Sequence, residues 1–239
     1  MSVHWVLPSV ATAAAAAFSL AVLRQFGRRR RPYQLAWGVA LAMFALASLT
    51  LTIGVTAGWS PLGFKLYYLF GAILNVPWLA LGTVLLLAHG RAARIAYLVG
   101  LVLFSLASTV AITLVEVPAA GLAGRVVPEG HDLLPVGVRA LAVGGNVVGT
   151  LVVVGGAVVS GLALRGRREL RPRFEGNLLI AAGVLLAAAG GVFAFASASD
   201  KLATGLALGA TVMYVGFRRA SVPLPSQRPA PGPPRLRHP

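Results

Sequence analysis

The chain has 239 residues, 57% of them hydrophobic and only 11% charged, with a formal net charge of +15. A soluble domain carries roughly 25% charged residues, so the polar coat of a water-exposed surface is missing, and the mean hydropathy of +0.81 agrees. The absence of cysteine excludes disulfides, thiolate metal sites and cysteine nucleophiles.

The apolar residues come in blocks of about 17 to 25, the length needed to cross roughly 30 Å of hydrocarbon at about 1.5 Å per residue. In chain order they predict membrane helices at about 4–23, 35–57, 64–88, 94–117, 137–164, 176–198 and 201–217. The first is not a cleavable signal, because positive charge follows the apolar run instead of preceding it, as Arg24 and then Arg28 to Arg31. The last is the shortest, with Lys201 reaching to the outer interface and Tyr214 and Phe217 at the inner one. Trp5, Trp37 and Trp59 fall near span ends, where amphipathic aromatic rings belong. After Arg219, the segment 220–239 is rich in proline and arginine and reads as a disordered cytoplasmic tail.

The placement of the cations predicts the orientation. With seven crossings, 17 of the 21 lysines and arginines share one side: Arg24 with Arg28 to Arg31, Arg91 and Arg94, the group from Arg165 to Arg173, and the group from Arg218 to Arg237. Lys65, Arg125, Arg139 and Lys201 remain on the other. Because cytoplasmic loops are enriched in Lys and Arg, the N-terminus is expected outside and the C-terminus inside. Six or eight crossings would put an arginine cluster on the wrong face. The clusters therefore read as topology signals and contacts for anionic lipid headgroups, not as a nucleic-acid surface.

Arg31-Pro32 between the first two spans and Arg171-Pro172 between the fifth and sixth can be laid on one another, with Lys65 near Lys201 further on. This suggests a weak 3+1+3 parallel repeat of the kind found in small transporters. Two matched residues are a thin basis, since arginine is expected after every inward crossing.

No ionisable residue falls at the centre of a span, which argues against a proton path or a charge-coupled carrier. Without a mid-span lysine in the last helix, a retinal site is excluded as well. The uncharged polar residues carry more. The third span holds Tyr68, Asn75, Pro77 and Trp78, with Asn75 near the midplane. Pro77 donates no hydrogen bond, which leaves the Ile73 carbonyl free and predicts a kink. Asn146 lies in the fifth span within a glycine-rich stretch, and the second offers Ser48, Thr50 and Thr52. Tyr68, Asn75, Trp78 and Asn146 are the candidates for a small polar cavity. The plainer role is interhelical glue, since such side chains bond across membrane helices for roughly 0.6 to 2 kcal/mol each. Gly144, Gly145, Gly149, Gly155 and Gly156 allow close helix packing.

The longest outer loop, 118–136, places Glu129, His131 and Asp132 close together with Arg125 nearby. These are residue types that bind divalent ions or titrate near neutral pH. No second group completes a site, so a solvated loop is the reading. The sequence contains no Gly-x-Ser-x-Gly, no His-Glu-x-x-His and no phosphate-binding glycine loop, so no enzymatic activity and no cofactor is expected.

The stretch from Lys65 through Asn75, Pro77 and Trp78 to Thr83 resembles a segment of uncharacterised seven-span integral membrane proteins of actinobacteria, a resemblance that implies no activity. In topology the chain is also similar to the seven-span sensor modules that precede some bacterial histidine kinases. The expectation is an all-α bundle of seven transmembrane helices in a bacterial cytoplasmic membrane. Its expected role is non-catalytic (structural, sensory or scaffolding), with a carrier of a neutral solute as the alternative.

Overall fold

The structure, a computed structural model, describes residues 5–164, Glu175, Gly176, Leu179, Ala182, Gly183, Leu186 and 199–220. Among these residues every regular element is helical. We number the helices α1 (Val6–Arg29), α2 (Pro32–Ala57), α3 (Pro61–Leu87), α4 (Arg91–Leu114), the one-turn α5 (Ala119–Leu122) and α6 (Gly130–Leu133), α7 (Val136–Leu164) and α8 (Ser199–Ala220). Five of them, α1 to α4 and α7, are long and apolar enough to cross a membrane.

These five match the first five predicted spans within a few residues at most ends. The exception is α1, which runs six residues past the predicted end and takes Arg24, Arg28 and Arg29 into helix. α8 covers the seventh predicted span but is not among the five; Asp200 and Lys201 at one end and Arg218 and Arg219 at the other dilute its apolar run. The sixth predicted span, 176–198, and the tail beyond Ala220 lie outside the described residues save for the few positions named above, and so does the comparison that the 3+1+3 repeat needs.

Local chemistry sets the boundaries. Arg30 adopts the left-handed conformation (φ 51°) and its N–H bonds the Phe26 carbonyl, ending α1. Arg31 is extended, as the residue before a proline must be. Pro32 then opens α2 at a position where its missing N–H has no helical partner to lose. Ser60 caps α3 by accepting from the Gly63 N–H at 3.0 Å, ahead of Pro61.

α3 is the hub of the bundle. It packs on α2 and α7 most extensively and on α4 less, while α1 lies between α2 and α8. The expected kink takes the form of a π-helical segment, Tyr68–Leu74, between α-helical turns Pro61–Tyr67 and Asn75–Leu87. Widening the turn is one way a helix keeps the Pro77 ring off the carbonyl four residues back.

The segment 115–135 is more than a solvated loop. Val117, Leu122 and Leu134 are buried in one cluster with Phe64, Ile73 and Ile112, so the two one-turn helices cap that end of α3, α4 and α7. The Trp59 indole donates to the Val126 carbonyl at 3.0 Å and the Lys65 ammonium to the Thr113 carbonyl at 3.0 Å, joining the start of α3 to the cap and to the end of α4.

Candidate functional site

Side-chain donors from three neighbouring helices converge on the backbone of α3. Asn146 of α7 donates through Nδ2 to the Ala72 carbonyl in the π segment, and to the Ala142 carbonyl of its own helix at 2.8 Å. The Tyr97 hydroxyl of α4 donates to the Pro77 carbonyl at 3.1 Å, and the Trp37 indole of α2 to the Leu79 carbonyl at 3.1 Å. In the reverse direction Trp78 of α3 donates to Ser105 Oγ of α4 at 3.2 Å, and the Ser105 hydroxyl in turn donates to the Leu101 carbonyl at 2.7 Å. In hydrocarbon no water satisfies a backbone group left over by a π turn or a proline, so a neighbouring helix has to do it.

Glycines set how closely these helices meet. A Cβ on Gly149 would lie 2.9 Å from the Val76 backbone, and one on Gly145 would lie 3.3 Å from the Ile73 carbonyl oxygen. One on Gly156 would lie 2.3 Å from Thr83 Cγ2. These three glycines form the face of α7 that meets α3, whereas Gly144 and Gly155 face open space. The glycine-rich stretch thus splits into a packing seam and an outward face.

The four residues singled out from sequence are not linked to one another. Asn146 and Trp78 are engaged between helices, as above. Tyr68, the first residue of the π segment, packs under the cap; its ring centroid is 6.0 Å from that of Phe64, and a Cβ on Gly130 would fall 2.5 Å from it. Asn75 is half-buried, and its amide makes no hydrogen bond with the described residues. Thr50 and Thr52 turn back on carbonyls of their own helix, and Ser48 is buried without a hydrogen-bond partner, as is Ser108 of α4.

Sequence reading missed Trp37, Tyr97 and Ser105. Trp37 sits near a span end, so it was assigned to the interfacial belt; its ring instead covers Gly82 inside the bundle. The usable signal was the N–H or O–H that each aromatic residue must satisfy at membrane depth. Trp59 is likewise a packing residue, covering Gly54 and stacked edge-on near Phe64 and Tyr67.

In the cap, His131 lies between two carboxylates, Nδ1 at 3.0 Å from Glu129 and Nε2 at 2.9 Å from Asp132. Asp132 also pairs with Arg125. The guanidinium hydrogen bond holds the Asp132 carboxyl below the usual carboxylate range, against a smaller opposing effect of burial. The carboxylates flank the ring instead of converging with it on one point, and among the described residues no three His, Asp or Glu side chains form a metal-holding set.

Beside this cluster an open groove of about 830 Å³ separates the end of α4 from the start of α7. Leu114, Val115, Leu134, Val138 and Leu141 line it, together with Glu116 and Asp132.

No family model, no curated protein and no solved structure matches the chain, so no relative's activity is carried over to it.

Proposed function

We propose that the protein is a non-catalytic, multi-pass protein of a bacterial cytoplasmic membrane, with seven crossings, its N-terminus outside and its C-terminus in the cytoplasm. Its role is structural, sensory or scaffolding, and its arginine clusters rest on anionic lipid headgroups. The observation that carries this reading is the destination of the side-chain donors inside the bundle. Asn146, Tyr97 and Trp37 all bond α3 carbonyls, and Trp78 bonds Ser105. Groups tied to one another in this way hold a bundle together and leave no reacting constellation.

The packing of the ends fits a chain that passes alternately up and down. Trp59 and the cap lie at one end, consistent with the loops after α2 and α4 sharing a side. Arg219 at the end of α8 pairs with Glu175 at 3.3 Å, consistent with the start of the sixth predicted span and the end of the seventh sharing a side. The test of topology is a compartment-specific reporter fused to each terminus. Opposite compartments are expected; the same compartment for both would mean an even number of crossings and would end this reading.

One observation favours a second reading, a carrier of a neutral solute. Asn75 sits near the middle of the third span, half-buried, and its amide makes no hydrogen bond with the described residues. Uptake of labelled neutral solutes into vesicles containing the full chain decides between the two. Uptake above that of empty vesicles, abolished by Asn75→Ala, would establish the carrier; uptake equal to empty vesicles is the result expected.

A further inference from the structure

We propose that the groove between α4 and α7 binds an amine-headed amphiphile drawn from the outer leaflet, with its ammonium on Glu116 and its hydrocarbon chain between the two helices. Its assignment to the outer leaflet rests on the orientation proposed above; the binding itself does not.

Charge complementarity identifies the head. The chain has only six acidic residues against 21 lysines and arginines, yet Glu116, Glu129 and Asp132 lie within one short stretch. Two of these three carboxylates are already engaged, Glu129 by His131 and Asp132 by His131 and Arg125. Glu116 is exposed at the groove and makes no ion pair or hydrogen bond with the described residues. The cations nearby are turned elsewhere. Lys65 donates to the Thr113 carbonyl, and Arg139 lies on the side of α7 toward Tyr68. One open carboxylate beside apolar walls suits a single monovalent organic cation better than a hydrated metal ion, which requires several oxygen ligands.

Shape identifies the tail. The volume falls within the roughly 300–1,000 Å³ usual for small-molecule sites. Apart from Glu116 and Asp132 its walls are aliphatic, the groove is open on one side, and α4 and α7 contact each other less than either contacts α3. On α4 the track continues toward the membrane centre through Val110, Leu106 and Leu103, all exposed. A chain lying there meets hydrocarbon along its whole length, while its head stays at the level of the cap.

The test is equilibrium binding of radiolabelled dodecylamine to the full chain in phosphatidylcholine nanodiscs, with empty nanodiscs subtracted. Saturable binding of about one molecule per chain is expected, displaced by unlabelled dodecyltrimethylammonium and at least tenfold less well by dodecanol. Glu116→Gln should weaken amine binding at least fivefold, with the melting temperature of the chain unchanged. Leu114→Trp, which fills the groove from α4, and Leu141→Trp, which fills it from α7, should each abolish binding. Equal competition by amine and alcohol, or an unaltered affinity in Glu116→Gln, overturns the proposal; so does retention of binding in both filled variants. Nanodiscs expose both faces, so these outcomes stand whichever way the reporter fusions place the termini.

Discussion

α3 and α4 are neighbours of similar length, and α4 is the more apolar of the two. Yet 44% of the apolar stretch of α3 is buried inside the protein against 17% for α4. In water the order would be reversed, because burial follows apolarity. In a bilayer lipid is as good a solvent for leucine as the protein interior, so helices associate through close packing and hydrogen bonds. α3 is interior because it carries a π turn, Pro77 and carbonyls that need donors. α4 lies outside because Leu103, Leu106, Val110 and Leu114 have nothing to gain from a protein neighbour. α7 divides the same way along its length, with a seam toward α3 and an outward face, and its stretch is also 17% buried.

Three pairs of variants test that contrast, and the largest effect is expected at the glycine seam. Gly149→Val places a branched side chain against the Val76 backbone, which cannot rotate away; a loss of about 3 kcal/mol is expected, the upper end for overpacking. Gly144→Val, one position from the seam glycine Gly145, enters open space and should cost less than about 0.5 kcal/mol. Reversible unfolding in mixed micelles measures both. Equal losses would mean that α7 is rotated from the orientation described.

Next in size is the aliphatic pair. Ile73 is fully buried within the π segment and Leu103 is mostly exposed. Ile73→Ala should cost about 2 kcal/mol, the low end for emptying a packed site, because in lipid the packing term remains and the transfer term largely falls away. Leu103→Ala should be neutral by the same measurement. A loss of similar size at Leu103 would show that a protein surface covers α4.

The asparagines come third. Asn146→Leu removes the side-chain donor to the Ala72 carbonyl and should destabilise by about 1 kcal/mol. Asn75→Leu removes no bond and should be neutral or slightly stabilising. If Asn75→Leu proves the more costly, its amide has a partner in the membrane-embedded protein, and the carrier reading gains.

Sequence carried the positions of the membrane helices and little of their rotation. Length and hydropathy are local properties, so the first five spans could be placed to within a few residues at most ends. Which glycines face α3 depends on the phase of α7 about its axis. Gly144 and Gly145 look alike in sequence and differ by about 100° in space. The π segment was foreshadowed by Pro77, but its extent over Tyr68–Leu74 reflects contacts with α2 and α7 that no single span contains. Of the four candidate residues, Asn146 and Trp78 proved to be bonded between helices, Tyr68 belongs to the capped end, and Asn75 stands apart. The cap was misjudged for a related reason. Leu122 and Leu134 stand in short apolar pieces broken by glycine, proline and charged residues, too short to show a helical period, and only the fold reveals the end of the bundle they close.

The smallest effect is expected at the cap, where the groups are exposed and water screens them. Because Arg125 lowers the Asp132 carboxyl, the folded protein binds that proton less readily than the unfolded chain does. The pair therefore contributes its full, small stabilisation above the ordinary aspartate range near pH 3.9, and loses it as the pH falls through the lower folded value. Melting temperature should accordingly decline more steeply below about pH 4 in the natural chain than in Arg125→Gln, and the two curves should run parallel above pH 6. Equally steep declines below about pH 4 in the two proteins would mean that the Arg125 guanidinium lends the Asp132 carboxylate no stability in the fold.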